Sequence, residues 1–219
     1  MKPDDYIPAL SYDWLTFLYD PVVRLTTREG KFKKALLEAA RVRAGHTILD
    51  LACGTGTLAI LIKQAHPGAI VTGVDGDAVI LGRAEKKANQ ANTEIRFDEA
   101  LSYELPYRDG AFDRVVSSLF FHHLTRKNKL RTLSEVKRVL VKGGELHIAD
   151  WGMPQNALMK AASRGIQLLD GVETTSDNFE GLLPLLLEQA GFENVEETGY
   201  FNSLFGTIRL HKSVNNHSN

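Results

Sequence analysis

Cysteine occurs once in the 219 residues, as Cys53, which excludes an intramolecular disulfide and a cysteine-rich metal site and suits a reducing compartment. Neither sign of charge dominates. With 26 basic side chains against 27 acidic ones the net charge is -1, so there is no electrostatic footprint for a phosphate backbone and no nucleic-acid partner is expected. Long apolar runs are missing as well. Asp4, Asp5, Asp13 and Asp20 interrupt the aromatic opening, leaving no uncharged stretch long enough for a signal core or a membrane span, and a cytoplasmic location is expected. What is present is ordinary for a globular chain: 43% hydrophobic and 24% charged residues, 7 prolines, 18 glycines and no internal repeat. The length suits one domain with a modest extension.

Hydrophobic patterning sets out the order of elements. "HTILDLA" (46–52) reads as a buried strand, "GTLAILIKQAH" (56–66) as a helix and "AIVTGVD" (69–75) as a β-branched strand. Asp77 is placed to cap a helix through "AVILGRAEKKANQ", and "TEIRFD" (93–98) makes a third strand. "FDRVVSSLFF" (112–121), a helix over 128–140 and "GELHIAD" (144–150) continue the alternation. Strands separated by such helices run parallel and wind into an α/β doubly wound sheet, with ligands at the strands' carboxyl ends. After a helical stretch over 155–191, "NVEETGYF" (194–201) and "SLFGTIRLHK" (203–212) are joined too tightly for a crossover and form an antiparallel hairpin. This divides the chain into an N-terminal helical extension (1–45), a main domain (46–212) with a helical cap (155–191), and a flexible polar tail (213–219).

The stretch "ILDLACGTGTLA" (48–59) carries a Gly-x-Gly turn between the first strand and a helix, where backbone approaches a ligand closely. A nucleoside-triphosphate loop would continue to Gly-Lys-Ser/Thr, whereas Gly56 is followed by "TLAILIK". Gly54-x-Gly56-x-x-Ala59 does match the dinucleotide fingerprint, and Asp75 stands about 20 residues on, where a ribose-binding acid belongs. Asp50 argues against that choice, because a carboxylate just before the turn repels a pyrophosphate at the helix amino terminus. A cationic ligand without phosphate, such as S-adenosylmethionine, reverses the sign and still offers a ribose diol to Asp75. The simpler reading makes Asp75 a helix cap and Asp50 a turn residue.

With "ILDLACGTG" (48–56), "GVDGD" (73–77), "LPYRDGAFDRVVSS" (105–118) and "RVLVKGGELHIAD" (138–150) in that order, the chain resembles the class I S-adenosylmethionine-dependent methyltransferases. It looks most like their small-molecule branch, typified by the ubiquinone and menaquinone C-methyltransferases. The resemblance implies a Rossmann-like, mostly parallel seven-stranded sheet ending in an antiparallel hairpin. By motif, Asp50, Ala52, Gly54, Thr55 and Gly56 would border the methionine half of the cofactor, which leaves as S-adenosylhomocysteine. Asp75 would hold both ribose hydroxyls, and Gly76 and Asp77 would flank adenosine. In the frame "ALSYELP" Leu101 replaces the family's usual Asp at the adenine, leaving Leu101 and backbone near Ser102 to hold the base. Ser118 and Leu119 would line the methionine side.

For the acceptor, "FFHHL" (120–124) puts His122 and His123 just after the fourth strand, as candidates to orient a substrate or take a proton. Adjacent strand residues point to opposite faces, which argues against a chelating pair, and no metal is expected. Asp150 and Trp151 stand on the same rim as substrate-binding candidates. The aromatic opening, Tyr6, Tyr12, Trp14, Phe17 and Tyr19, reads as a lid or a docked helix, with Tyr12 and Tyr19 against the substrate. Met159, Ile166, Leu168, Leu169 and Phe179 offer the opposite wall, or ordinary core. Cys53 reads as a small buried turn residue. The resulting expectation is a methyltransferase for a small, partly apolar molecule. Its alternatives are a catalytically silent cofactor-binding subunit and a nucleic-acid or protein methyltransferase, whose Asn/Asp-Pro-Pro-Tyr signature "SSLFFHHL" lacks.

Overall fold

Apolar residues that neighbour each other on the central strands fall into different cores, as burial on both faces of a sheet requires. Ile48, Val116 and Ala149 join Phe32, Leu36 and Leu58 on one face. Leu49, Val115 and Ile148 join Leu133, Val136 and Leu186 on the other. The computed structural model describes residues 29–216. Its strands are β1 (Thr47–Leu51), β2 (Ile70–Asp75), β3 (Arg96–Glu99), β4 (Phe112–Ser118), β5 (Leu140–Gly152), β6 (Glu193–Asn202) and β7 (Thr207–Asn215). The helices are α1 (Glu29–Ala40), α2 (Thr57–Ala65), α3 (Ala78–Gln90), α4 (Arg126–Val139), α5 (Ala157–Asp170), α6 (Val172–Phe179) and α7 (Leu183–Gln189), with a short 3₁₀ turn at Phe121–His123. No helix among the described residues is long and apolar enough to cross a membrane.

The seven strands take the order β3-β2-β1-β4-β5-β7-β6. β1 to β5 are parallel, and β7 runs antiparallel to both β5 and β6. This is the expected doubly wound sheet with a terminal hairpin, and the strand order reverses between β1 and β4. Most boundaries shift by a few residues from the sequence reading, and three of the differences bear on the site or the core. The cap segment is broken into three helices, at Gly171 and at Gly181, which have φ of 88° and 75°. β4 stops at Ser118, three residues before the expected end, because Leu119 turns left-handed with φ 54°. β7 continues past residue 212, so 213–215 are strand, not flexible tail. There Asn215 is buried and its amide donates to the carbonyls of Lys137 and Leu140, both at 3.0 Å.

The start of α2 is held from outside the helix. Gly56 is its N-cap residue at φ 73° and has no side chain to satisfy the first amides. A Cβ there would stand 3.1 Å from both Ala84 and the ring of Phe97, so glycine is demanded by space as well as by conformation. Asp50, at 1% exposure on β1, accepts the Ala59 amide at 2.9 Å and does the capping instead. Burial pushes its pKa up to about 7, against the pull of the buried Lys33 ammonium on α1 and of the Ala59 N–H, with the charge of Asp75 adding to the rise.

A carboxyl whose folded pKa is raised holds its proton more tightly in the folded chain. The stability it contributes is full below the ordinary value of 3.8 and falls as pH rises through about 7. Asp50→Asn keeps an acceptor for Ala59 and removes the titration. Urea unfolding at about pH 4 and about pH 8 should show the variant gaining on the parent by on the order of 2–4 kcal/mol across that interval. A difference independent of pH would show that Asp50 is not titrating there.

Candidate functional site

The crevice at the strand-order reversal is framed by two non-glycine residues in left-handed conformation, Ala52 after β1 (φ 55°) and Leu119 after β4 (φ 54°). Such backbone is costly for a residue with a side chain and persists where the surroundings over-determine it. Those surroundings are visible here. Cys53 N–H donates to Val74 at 2.9 Å, Leu119 N–H to Ala149 at 2.8 Å, and Ser117 Oγ to Leu51 at 3.0 Å. Gly54, at φ 53°, has nothing within 4 Å of where a Cβ would stand. Backbone is therefore open to a ligand at Gly54 and enclosed at Gly56.

Asp75 closes β2 beside this turn. One carboxylate oxygen accepts Gly54 N–H at 2.9 Å and the other Asp77 N–H at 3.1 Å. Burial raises its pKa, opposed by these amides. Each oxygen keeps a lone pair beyond the one so used. Asp77 caps α3 through one carboxylate oxygen, which accepts from Val79 (2.8 Å) and Ile80 (3.3 Å), and Gly76 lies between the two acids. Thr55 and Thr57 hydroxyls stand 3.4 Å apart, and Lys87 donates to Thr57 at 2.5 Å. Leu101 is half-buried in the turn after β3, and the Ser102 hydroxyl is paired with that of Thr132 at 2.8 Å. Burial drives the Cys53 thiol far above its ordinary range, which leaves it inert. One carboxylate oxygen of the buried Asp50 is taken by the Ala59 amide.

A second group assembles beyond β4 and β5. His122 Nδ1 and Asp150 Oδ1 are 2.5 Å apart, and both side chains are buried. Asp150 also accepts His122 N–H at 3.1 Å and Trp151 N–H at 2.7 Å. Burial alone would raise the Asp150 pKa, but the His122 charge and hydrogen bond outweigh it and hold the carboxyl below the usual range. The acid expected to meet substrate is thus spent on orienting a histidine. With Nδ1 facing a carboxylate, Nδ1–H is the donor and the orientation of the imidazole is fixed. His123 is pushed down to about 3 by burial and by the neighbouring His122 charge, so it stays neutral. The two rings lie 3.9 Å apart between centroids, and Trp151 meets His122 edge-on at 6.4 Å. The opposite-faces expectation assumed a strand to residue 121. On the 3₁₀ turn the rings instead lie together. Among the described residues no three His, Cys, Asp or Glu side chains could hold a metal ion.

α6 packs on this turn, and Met159 and Phe179 are buried in the cap. Asp177 of α6 pairs with Arg126 and, at 3.3 Å, with the fully buried Lys129 of α4, which also donates to the Thr174 carbonyl at 2.7 Å. Neither this tie nor Lys33 was foreseen. Lys33 had a signal, since it falls on the buried stripe of α1 with Phe32, Leu36 and Ala40. Asp177 and Lys129 lie too far apart in sequence to carry one. Tyr12 and Tyr19, with the rest of the proposed lid, lie outside the described residues.

The pattern of a methyltransferase domain matches residues 48–144, from β1 into β5. The demethylmenaquinone methyltransferase of Thermus thermophilus is 37% identical over 138 residues, 62% of either chain, so the match spans less than two thirds of that enzyme's length. An uncharacterized methyltransferase of Synechocystis is 31% identical over 210 residues, 94% of this chain and 96% of that one. In fold the chain is similar to a methyltransferase of Aquifex aeolicus (TM-score 0.63, 19% identity, 83% of this chain and 88% of that one). It is also similar in fold to a phosphoethanolamine N-methyltransferase of Haemonchus contortus (TM-score 0.73, 15% identity, 94% and 58%). With the Synechocystis relative matched over nearly its whole length and the domain pattern seated on the glycine turn, the chain belongs to the S-adenosylmethionine-dependent methyltransferases.

Proposed function

We propose that the protein transfers the methyl group of S-adenosylmethionine to a small, partly apolar acceptor in the cytoplasm, with quinone-type rings as the leading class because several relatives are named as demethylmenaquinone or ubiquinone/menaquinone methyltransferases. The observation that carries the reading is a division of labour between two acids. Asp50 already supplies the acceptor at the amino terminus of α2, leaving no call there for a phosphate, while Asp75 stands beside the open backbone of Gly54 with lone pairs for a ribose diol. Ala52, Gly54 and Thr55 would hold the methionine half, with Ser118 and Leu119 opposite. Gly76 and the turn through Leu101 and Ser102 would flank adenosine. Asp50, Gly56 and Asp77 act by shaping the turn and the start of α3.

When bound, the cofactor supplies a methyl group on positively charged sulfur. The protein's part is alignment, exclusion of water and care of the acceptor's proton. A hydroxyl or an acidic carbon must lose a proton as it is methylated. His122, oriented by Asp150, is the group assigned to take it. Neutral His123 and the Trp151 ring wall the same space.

Titration calorimetry should give roughly micromolar binding of S-adenosylmethionine and S-adenosylhomocysteine, weakened at least about tenfold by Asp75→Ala through loss of a charged hydrogen-bond acceptor. Binding of NAD alone would overturn the reading. His122→Ala should lower turnover by about 10²- to 10⁴-fold with cofactor affinity retained, and His123→Ala less so. Turnover untouched in both variants would remove the proton-transfer role. Cofactor binding without transfer to any acceptor would favour a silent partner subunit.

A further inference from the structure

Five buried side-chain polar atoms have no hydrogen-bond partner among the described residues. Four of them, His147 Nδ1, His211 Nδ1, Ser213 Oγ and Asn215 Oδ1, sit on β5 and β7. The fifth is Oδ1 of Asn178 on α6, the helix packed against the 3₁₀ turn of His122 and His123. Asn178 is 1% exposed, and its Nδ2 donates to the Trp151 carbonyl at 3.1 Å. A carbonyl can only accept, so the amide nitrogen must face Trp151, and this fixes the carboxamide with its oxygen turned elsewhere. The residue before it, Asp177, pins α6 to Arg126 and Lys129, and the residue after it, Phe179, packs in the core that includes Trp151. The orphan acceptor is therefore fixed in orientation, on the helix that packs on the histidine turn and with its amide bonded to Trp151, the neighbour of Asp150.

A buried acceptor left without a donor is unfavourable, and such groups in native proteins call for an explanation. Resting on the methyltransferase reading above, we propose that Asn178 Oδ1 accepts a hydrogen bond from a hydroxyl group on the methyl acceptor, making Asn178 a specificity-determining residue for hydroxylated aromatic rings. Trp151, His122 and His123 supply flat walls for the ring. The carboxamide oxygen supplies the polar point that fixes its rotation, and with it which atom faces the incoming methyl. An acceptor with the hydroxyl masked as an ether has no proton to give and leaves Asn178 unsatisfied.

The test is calorimetry on the full chain saturated with S-adenosylhomocysteine, comparing a naphthol with the methyl ether of the same ring. The parent should prefer the naphthol by about 10²-fold or more, the size expected when a site built for a hydroxyl meets an analogue lacking it. Asn178→Leu, close in shape, should bring that ratio near one, while Asn178→Asp, which retains an acceptor oxygen, should keep it. If Asn178 only props up Trp151, both ligands weaken together in the Leu variant and the ratio survives, which overturns the proposal. A parent ratio near one overturns it too, without need of a folded variant. If S-adenosylhomocysteine itself does not bind, the methyltransferase reading is what fails.

Discussion

The hydrogen bond from the Ala59 amide to Asp50 joins the first strand, the glycine turn and the following helix into one piece. A helix amino terminus pointed at a crevice is ordinarily a place for a bound anion. Here the chain supplies an acceptor from its own β1, beneath a turn whose Gly56 cannot cap the helix itself. Two things depend on this. The turn can leave Gly54 open without fraying the helix, and the next acid along, Asp75, is stitched to the turn through the Gly54 amide. The proximity has a cost, since the charge of Asp75 adds to the burial that raises the Asp50 pKa, and Lys33 on α1 offsets part of it.

The second site depends on the first through the sheet. β4 and β5 are paired in register up to Ser118 and Ala149, and the Leu119 amide bonds back to the Ala149 carbonyl. Ending β4 there lets the 3₁₀ turn swing His122 over Asp150, the residue just past that pairing. A strand continuing through residue 123 would have split the two histidines between opposite faces. The buried pair is then sealed by α6, which the Asp177 contacts moor to α4.

Much of this was legible in the sequence, for identifiable reasons. The parallel order of β1 to β5 follows from alternating apolar runs and helix-length connections, and Asp77 signalled its cap by standing directly before an amphipathic run. Asp75 could be placed because spacing from a glycine turn carries over to spacing along adjacent strands. What stayed hidden was direction and distance. Asp50 was visible as an acid near the turn, but not that it points down at Ala59. The end of β4 depends on a left-handed leucine, which no propensity announces. Asn178 and Lys129 take their places from the way the cap folds back, and the sequence read 155–191 as one helical stretch without its two glycine breaks.

The position of β7 bears on how the molecule is made. This strand pairs with β5 over nine positions, from Gly144 with Asn215 to Gly152 with Thr207, and with β6 on its other side. β6 leaves the ribosome first yet has no neighbour until β7 arrives. Until then β5 presents an unpaired edge running past Asp150 and Trp151, the sort of edge that recruits strands from other chains. The half of the sheet from β1 to β4 has all its own pairings by that time. A cell making this protein must therefore shelter an emerging polypeptide whose first crevice is already built while its second still waits for β7.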